Sequence, residues 1–297
     1  MNINFSDLAK DLNKQIDYSF NEIYNDKNNE HFIDSLSIYE LKILYRWPIF
    51  VCLNFFIDCI TVTYDKNRLC LFEPLINSNF NWTYKNTTNE VIFNLYHNLA
   101  FRKYVIKCIY DILMNKYYLD EDIKVNHIKS RNFNIKNIIY SLNNFLIRLI
   151  KSDNLCDYSK WAREIYPFYN LYNFELDHPN KVKSIHTELR YNIITIIKNN
   201  LNYIYKKYFP KIDDTKCILL GNLLMNVVNV SLPCSLIENL EDRFNKYRKV
   251  LINWNIKHLH TFTGLYFNDN FKIFTILIKR HNGTIICHKH GGDIQEG

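Results

Sequence analysis

The chain has 297 residues, 47% of them hydrophobic and 15% aromatic, and carries a net charge of +7. This much apolar content excludes a disordered chain and can fill one large core or two smaller ones. The charge suits anionic partners, but Lys and Arg are dispersed without a basic run, so no nucleic-acid partner is expected.

The first two-thirds reads as helical. Ser6 or Asp7 is a candidate cap for a helix carrying Phe5, Leu8, Leu12 and Ile16 at helical spacing, followed by a polar loop over 21–34. Ser35 or Ser37 precedes a second helix that ends near Arg46-Trp47-Pro48. Pro48 then suits the first turn of a third helix over 48–64, where its missing N–H does no harm. Residues 65–89 read as loop, 90–117 as one helix, and 135–151 as a deeply buried helix. An irregular stretch over 152–184 leads to a helix over 185–208 that stops before Pro210.

The pattern changes after Pro210. Cys217 to Gly221 is a short apolar run ended by Gly. Leu259 to Phe267 alternates as a strand does, Asn268-Asp269-Asn270 is a turn and helix cap, and Phe271 to Arg280 is helical. Gly283 sits where a left-handed helix end favours glycine, and Thr284 to Cys287 is a buried strand. Strand, helix and strand in this order imply a parallel sheet. The expected class is therefore α/β, with a mostly helical region over 1–210 and an incomplete, Rossmann-like βαβ segment over 211–297.

The last strand leads into Lys289-His290-Gly291-Gly292. Only six Gly occur in the chain, and two of them stand together here. A Gly pair beyond the carboxyl end of a parallel strand lets backbone N–H groups approach a phosphate or sugar. A neighbouring His can donate to that phosphate or move a proton near neutral pH. The competing reading is an ordinary turn with a solvent-facing His.

Cys287, His288 and His290, with His258 and His260 on the preceding strand, are the candidate ligands for a zinc site. They lack the recognisable ligand pairs of structural zinc, so neither metal nor cofactor is expected. The eight Cys form no CxxC pair, and Cys52, Cys59, Cys108 and Cys217 lie in apolar runs where a thiol acts as a small hydrophobe. The polar, acidic first residues are unlike a signal peptide, and a reducing cytoplasm is the expected compartment. The apolar stretch from Trp47 to Tyr64 contains Asp58, whose carboxylate would be costly in lipid. A buried helix or an interfacial segment is expected there rather than a span, which keeps peripheral association with the inner membrane face in view.

Four stretches resemble transferases of bacterial surface carbohydrate biosynthesis with a two-domain, B-type glycosyltransferase fold. They are Leu8 to Asn13; Ile43 to Phe50 with Phe56-Ile57-Asp58 and Tyr64-Asp65; Leu232-Pro233 with Ile237-Glu238; and Asp269, Phe271-Lys272, Gly283 and His290-Gly291-Gly292. The order Trp47-Pro48 reverses the family's step, Lys289 replaces its Gln, and Asp293-Ile294 replaces its aromatic-Gly continuation. The resemblance implies a nucleotide-sugar donor and a glycan or lipid-linked acceptor. His290 would be the catalytic group, with Lys289, Gly291, Gly292 and Asp269 binding substrate. It also implies a second nucleotide-binding domain, so a chain ending five residues past Gly292 is expected to be a partial or truncated product. The alternative is a non-catalytic helical interaction protein whose tail is a remnant.

Overall fold

A computed structural model describes residues 4–25, 32–64, 82–85, 87–115, 125–126, 154–157, 170–172, 185, 187–209, 212–261, 266 and 268–287. The chain is α/β, mostly helical, with parallel sheets. It divides into two compact units, one of Met1–Ile128 with Ser184–Ile237, the other of Lys129–Lys183 with Glu238–Gly297. The division does not follow the expected 210/211 boundary, because the helix after Pro210 packs with the helices that precede it.

The first unit is built on α1 (Phe5–Asn25), α2 (Ile38–Tyr64), α3 (Thr88–His97), α4 (Leu99–Leu113), α5 (Thr187–Tyr208) and α6 (Asp214–Ser231). Leu8, Leu12, Ile16 and Phe20 form the buried stripe of α1. Its cap is Asn4 rather than Ser6 or Asp7: the Ser6 N–H donates to Asn4 Oδ1 at 3.1 Å. The helix also runs on to Asn25, through residues expected to be loop. Ser37 does cap α2, in a reciprocal box: the Glu40 N–H donates to Ser37 Oγ at 3.3 Å, and the Ser37 N–H to Glu40 Oε2 at 2.8 Å.

Pro48 does not begin a new helix; it lies inside the 27-residue α2. The lost backbone bond is outweighed by burial on either side, at Leu44, Tyr45, Ile49, Val51 and Cys52. By length and composition α2 is apolar enough to cross a membrane, yet 67% of its most apolar window is buried within the protein. Asp58 is met by Arg102 of α4, so the carboxylate in this apolar stretch is paired. Burial pushes the Cys52 thiol up to about 12 and the Cys108 thiol to about 11, as expected of thiols that serve as packing groups.

The expected helix over 90–117 is two helices. Asn98 takes non-helical angles, ends α3, and accepts from the Phe101 N–H at 3.2 Å to cap α4. The run from Cys217 to Gly221 is part of α6, not a separate element. Gly221 faces Lys198 of α5, whose Cε would lie 3.0 Å from an added Cβ, so the glycine serves helix packing. Trp82–Thr83 (β1) pairs in parallel with Val125–Asn126 (β2).

The second unit holds the larger sheet. Its strands are β3 (Asn154–Asp157), β4 (Asn170–Tyr172), β5 (His258–Thr261) and β6 (Thr284–Cys287), in the spatial order β4-β3-β5-β6 and all parallel. Strands β3 and β4 lie in the stretch expected to be irregular. Among the described residues this unit carries α7 (Leu240–Trp254) and α8 (Asp269–Arg280), packed on each other. Helix α7 has no counterpart among the elements expected from the sequence. The expected helix over 135–151 lies outside the described residues.

Candidate functional site

The unit β5–α8–β6 is the strand–helix–strand motif expected from the sequence, with His258 opposite Thr284 and Thr261 opposite Cys287. Asn268 caps α8, accepting from the Phe271 N–H at 3.1 Å. Phe271, Ile273, Phe274, Ile276, Leu277 and Ile278 are all buried, so apolar residues cover most of the helix. Tyr247 of α7 packs on Phe274 with ring centroids 4.7 Å apart.

The end of α8 differs from expectation. The left-handed residue is Asn282, at φ 58°, while Gly283 does not have positive φ. The Gly283 N–H donates to Ile278 O at 2.8 Å and the Asn282 N–H to Lys279 O at 3.1 Å, which together form a Schellman closure. Gly283 is required for space: an added Cβ would lie 2.5 Å from Lys257 O and 2.7 Å from Ile278 Cγ2. The next residue, Thr284, donates its N–H to Lys257 O at 2.9 Å and starts β6. That strand is an edge of the sheet, with Thr284 and Cys287 exposed, and not the buried strand expected.

Because β5 and β6 are parallel, their carboxyl ends, Thr261 and Cys287, lie at one edge of the sheet, the edge from which α8 starts. Polar residues are buried there. Asp269, the first residue of α8, is 4% exposed, and its Oδ1 lies 3.4 Å from Nζ of the fully buried Lys272. Burial drives the Lys272 ammonium below its ordinary range, partly opposed by Asp269 beside it. On the same turn Asn270 accepts a hydrogen bond from Arg243 of α7, and both residues are buried. His260 and Thr261, the last residues of β5, are buried too.

Of the expected site residues, Asp269 is therefore placed on the first turn of α8, engaged by Lys272. Lys289, His290, Gly291 and Gly292 lie outside the described residues; the described chain leaves β6 at Cys287. His258 and His260 share β5, and among the described residues no group of His, Cys, Asp and Glu could hold a metal ion.

Arg243 is the residue that sequence reasoning missed. The signal was there: Leu240, Phe244, Tyr247 and Leu251 form the buried stripe of α7, and Arg243 sits within it. A cation on an apolar stripe has to find a polar partner in the interior.

No family of known proteins, no curated protein and no solved structure matches this chain.

Proposed function

We propose that this protein is a glycosyltransferase-like enzyme of surface polysaccharide biosynthesis, acting at the cytoplasmic side of the membrane on a glycan or lipid-linked acceptor. One observation carries the reading. The parallel β5–α8–β6 unit brings the exit of β6, four residues before Gly291-Gly292, to the same sheet edge as the first turn of α8 with its buried Asp269–Lys272 pair. Ligands of open α/β sheets bind beyond that edge.

In this reading the acceptor oxygen bonds to the sugar's anomeric carbon as the bond from that carbon to the nucleotide diphosphate breaks. The diphosphate leaves with the electron pair. His290 takes the acceptor proton as the new bond forms, and the imidazolium so made can donate a hydrogen bond to the leaving phosphate. Gly291 and Gly292 offer backbone N–H groups, and Lys289 adds positive charge for the diphosphate. Asp269 acts indirectly, by fixing the first turn of α8.

The test is nucleotide release from UDP-, GDP- and dTDP-sugars by the full chain supplied with a lipid-linked acceptor, comparing the native protein with His290→Ala. Turnover in the variant should fall by about 10²-fold or more, with donor affinity little changed. Absence of transfer from every donor by the native chain would overturn the reading.

A further inference from the structure

We propose that the outer face of α7 docks this protein on an anionic lipid bilayer, with Arg248 and Lys249 against the lipid phosphates and Ile252 set into the headgroup layer. The inference goes beyond the reaction proposed above: it names the surface that meets the membrane and needs neither sugar donor nor acceptor.

The helix has two faces. Leu240, Phe244, Tyr247 and Leu251 are buried. Arg248, Lys249 and Ile252 are exposed on the opposite face, Ile252 by 60%. Residues three and four apart are neighbours on a helix, so Ile252 stands beside both cations. Glu241 and Asp242 share this face but lie on the first turn, seven residues before Arg248 and Lys249, a rise of roughly 10 Å. There they complement the amino end of the helix.

The positive charge continues past α7. The Thr284 N–H donates to Lys257 O at 2.9 Å, which brings the residues following α7 beside those following α8. Lys257, Lys279 and Arg280 are exposed around this junction. In the sequence from Arg243 to Gly292 the single acidic residue is Asp269, and it is buried against Lys272. No carboxylate of this stretch therefore offsets the cations at the surface. Lys279 and Arg280 lie in the last turn of α8, where the helix dipole favours cations. That reason does not extend to Arg248 and Lys249, which precede the last turn of α7.

Gathered cations attract any polyanion, and each adds to the binding of an anionic membrane. Ile252 decides among polyanions. An exposed apolar side chain between two cations loses water on entering a headgroup layer and gains little from a phosphodiester backbone.

Flotation of the full chain tests this, with vesicles of phosphatidylcholine alone and vesicles containing about one-third phosphatidylglycerol. The native protein should float with the anionic vesicles only. Arg248→Gln/Lys249→Gln should weaken that binding about 10-fold or more, and Ile252→Ser about threefold. Lys10→Gln/Lys14→Gln removes the same charge from exposed positions of α1 and should stay within about twofold of native. The surface is overturned if phosphatidylglycerol adds nothing to native binding, or if the two Gln pairs lose binding equally. It is overturned in favour of nucleic acid if the native chain ignores vesicles but binds an RNA or DNA oligonucleotide through Arg248 and Lys249. Vesicle binding without sugar transfer would leave the surface standing and sink the transferase reading; transfer to a soluble acceptor without vesicle binding would do the reverse.

Discussion

The two units of this protein treat charge in opposite ways. In the first, ion pairs lie at the margins of helix contacts. Lys42 and Arg46 of α2 meet Asp17 of α1, with side chains about one-third exposed. Burial alone would raise the Asp17 carboxyl, but the hydrogen bonds from Lys42 and Arg46 outweigh it and hold the group below its usual range. Lys207 and Tyr208 of α5 hold Asp11 of α1 in the same manner. Arg190, a buried cation of α5, donates to Asn229 O at 2.7 Å and Leu232 O at 3.0 Å. It closes the carbonyl end of α6 while lying over the Tyr84 ring.

Among the described residues of the second unit, two polar pairs lie inside. Asp269–Lys272 and Arg243–Asn270 are buried at the start of one helix. Charges in an interior carry a desolvation penalty that well-packed apolar groups would not. The first unit shows that this chain can fill a core with Leu, Ile and Phe. Polar groups concentrated at one sheet edge of the second unit are therefore the better pointer to function.

The largest expected effect sharpens that contrast. Lys272→Met leaves the Asp269 carboxylate buried without its ammonium and should cost about 3–5 kcal/mol, most of it recovered in the double variant Lys272→Met/Asp269→Leu. The matched change in the first unit, Arg46→Met, should cost about 1 kcal/mol or less, because water still reaches the pair. Urea denaturation of the three proteins gives the comparison, and equal losses for the two single variants would break it.

A middle-sized effect concerns how α8 turns into β6. Gly283→Ala forces a Cβ against the Lys257 carbonyl, which is backbone and cannot rotate away. A loss of about 2 kcal/mol is expected in the same denaturation assay. Asn282→Gly, at the residue that holds the positive φ, should be neutral or mildly stabilising. If Gly283→Ala were harmless and Asn282→Gly damaging, the assignment of roles at this helix end would be wrong.

The smallest effect has the opposite sign and lies in the first unit. The Tyr205 hydroxyl is buried on α5 with no hydrogen-bond partner. Burial pushes its ionisation far above the ordinary range. Tyr205→Phe should raise the melting temperature slightly, by about 1 kcal/mol of stability at most. A clear loss would mean that this hydroxyl is satisfied in solution.

Much of the second unit was legible because its signals are local. The Asn268 cap, the apolar run to Arg280 and the β-branched stretch from Thr284 lie within twenty residues, and caps and short periodicities are set by neighbours along the chain. Ser37 was legible for the same reason as one of two residues that could start α2, while the reciprocal bond from Glu40 was not anticipated. Strands β3 and β4 were not. They are four and three residues long, and such short strands exist only through partners, here across a separation of about one hundred residues between β3 and β5. Local signals also misled at Pro48, whose breaking tendency yields to burial of α2, and at Gly283, whose value is the space it leaves rather than its angles.

The sequence by itself determined the helical first region, the parallel β5–α8–β6 unit and the His290-Gly291-Gly292 segment that follows it, since periodicity and caps act over a few residues. Only the tertiary structure decided that α6 packs with the helices before it, that β3 stands beside β5, and that Arg243 reaches Asn270. Each of these joins residues remote in sequence, where burial and pairing, not local preference, choose the partner.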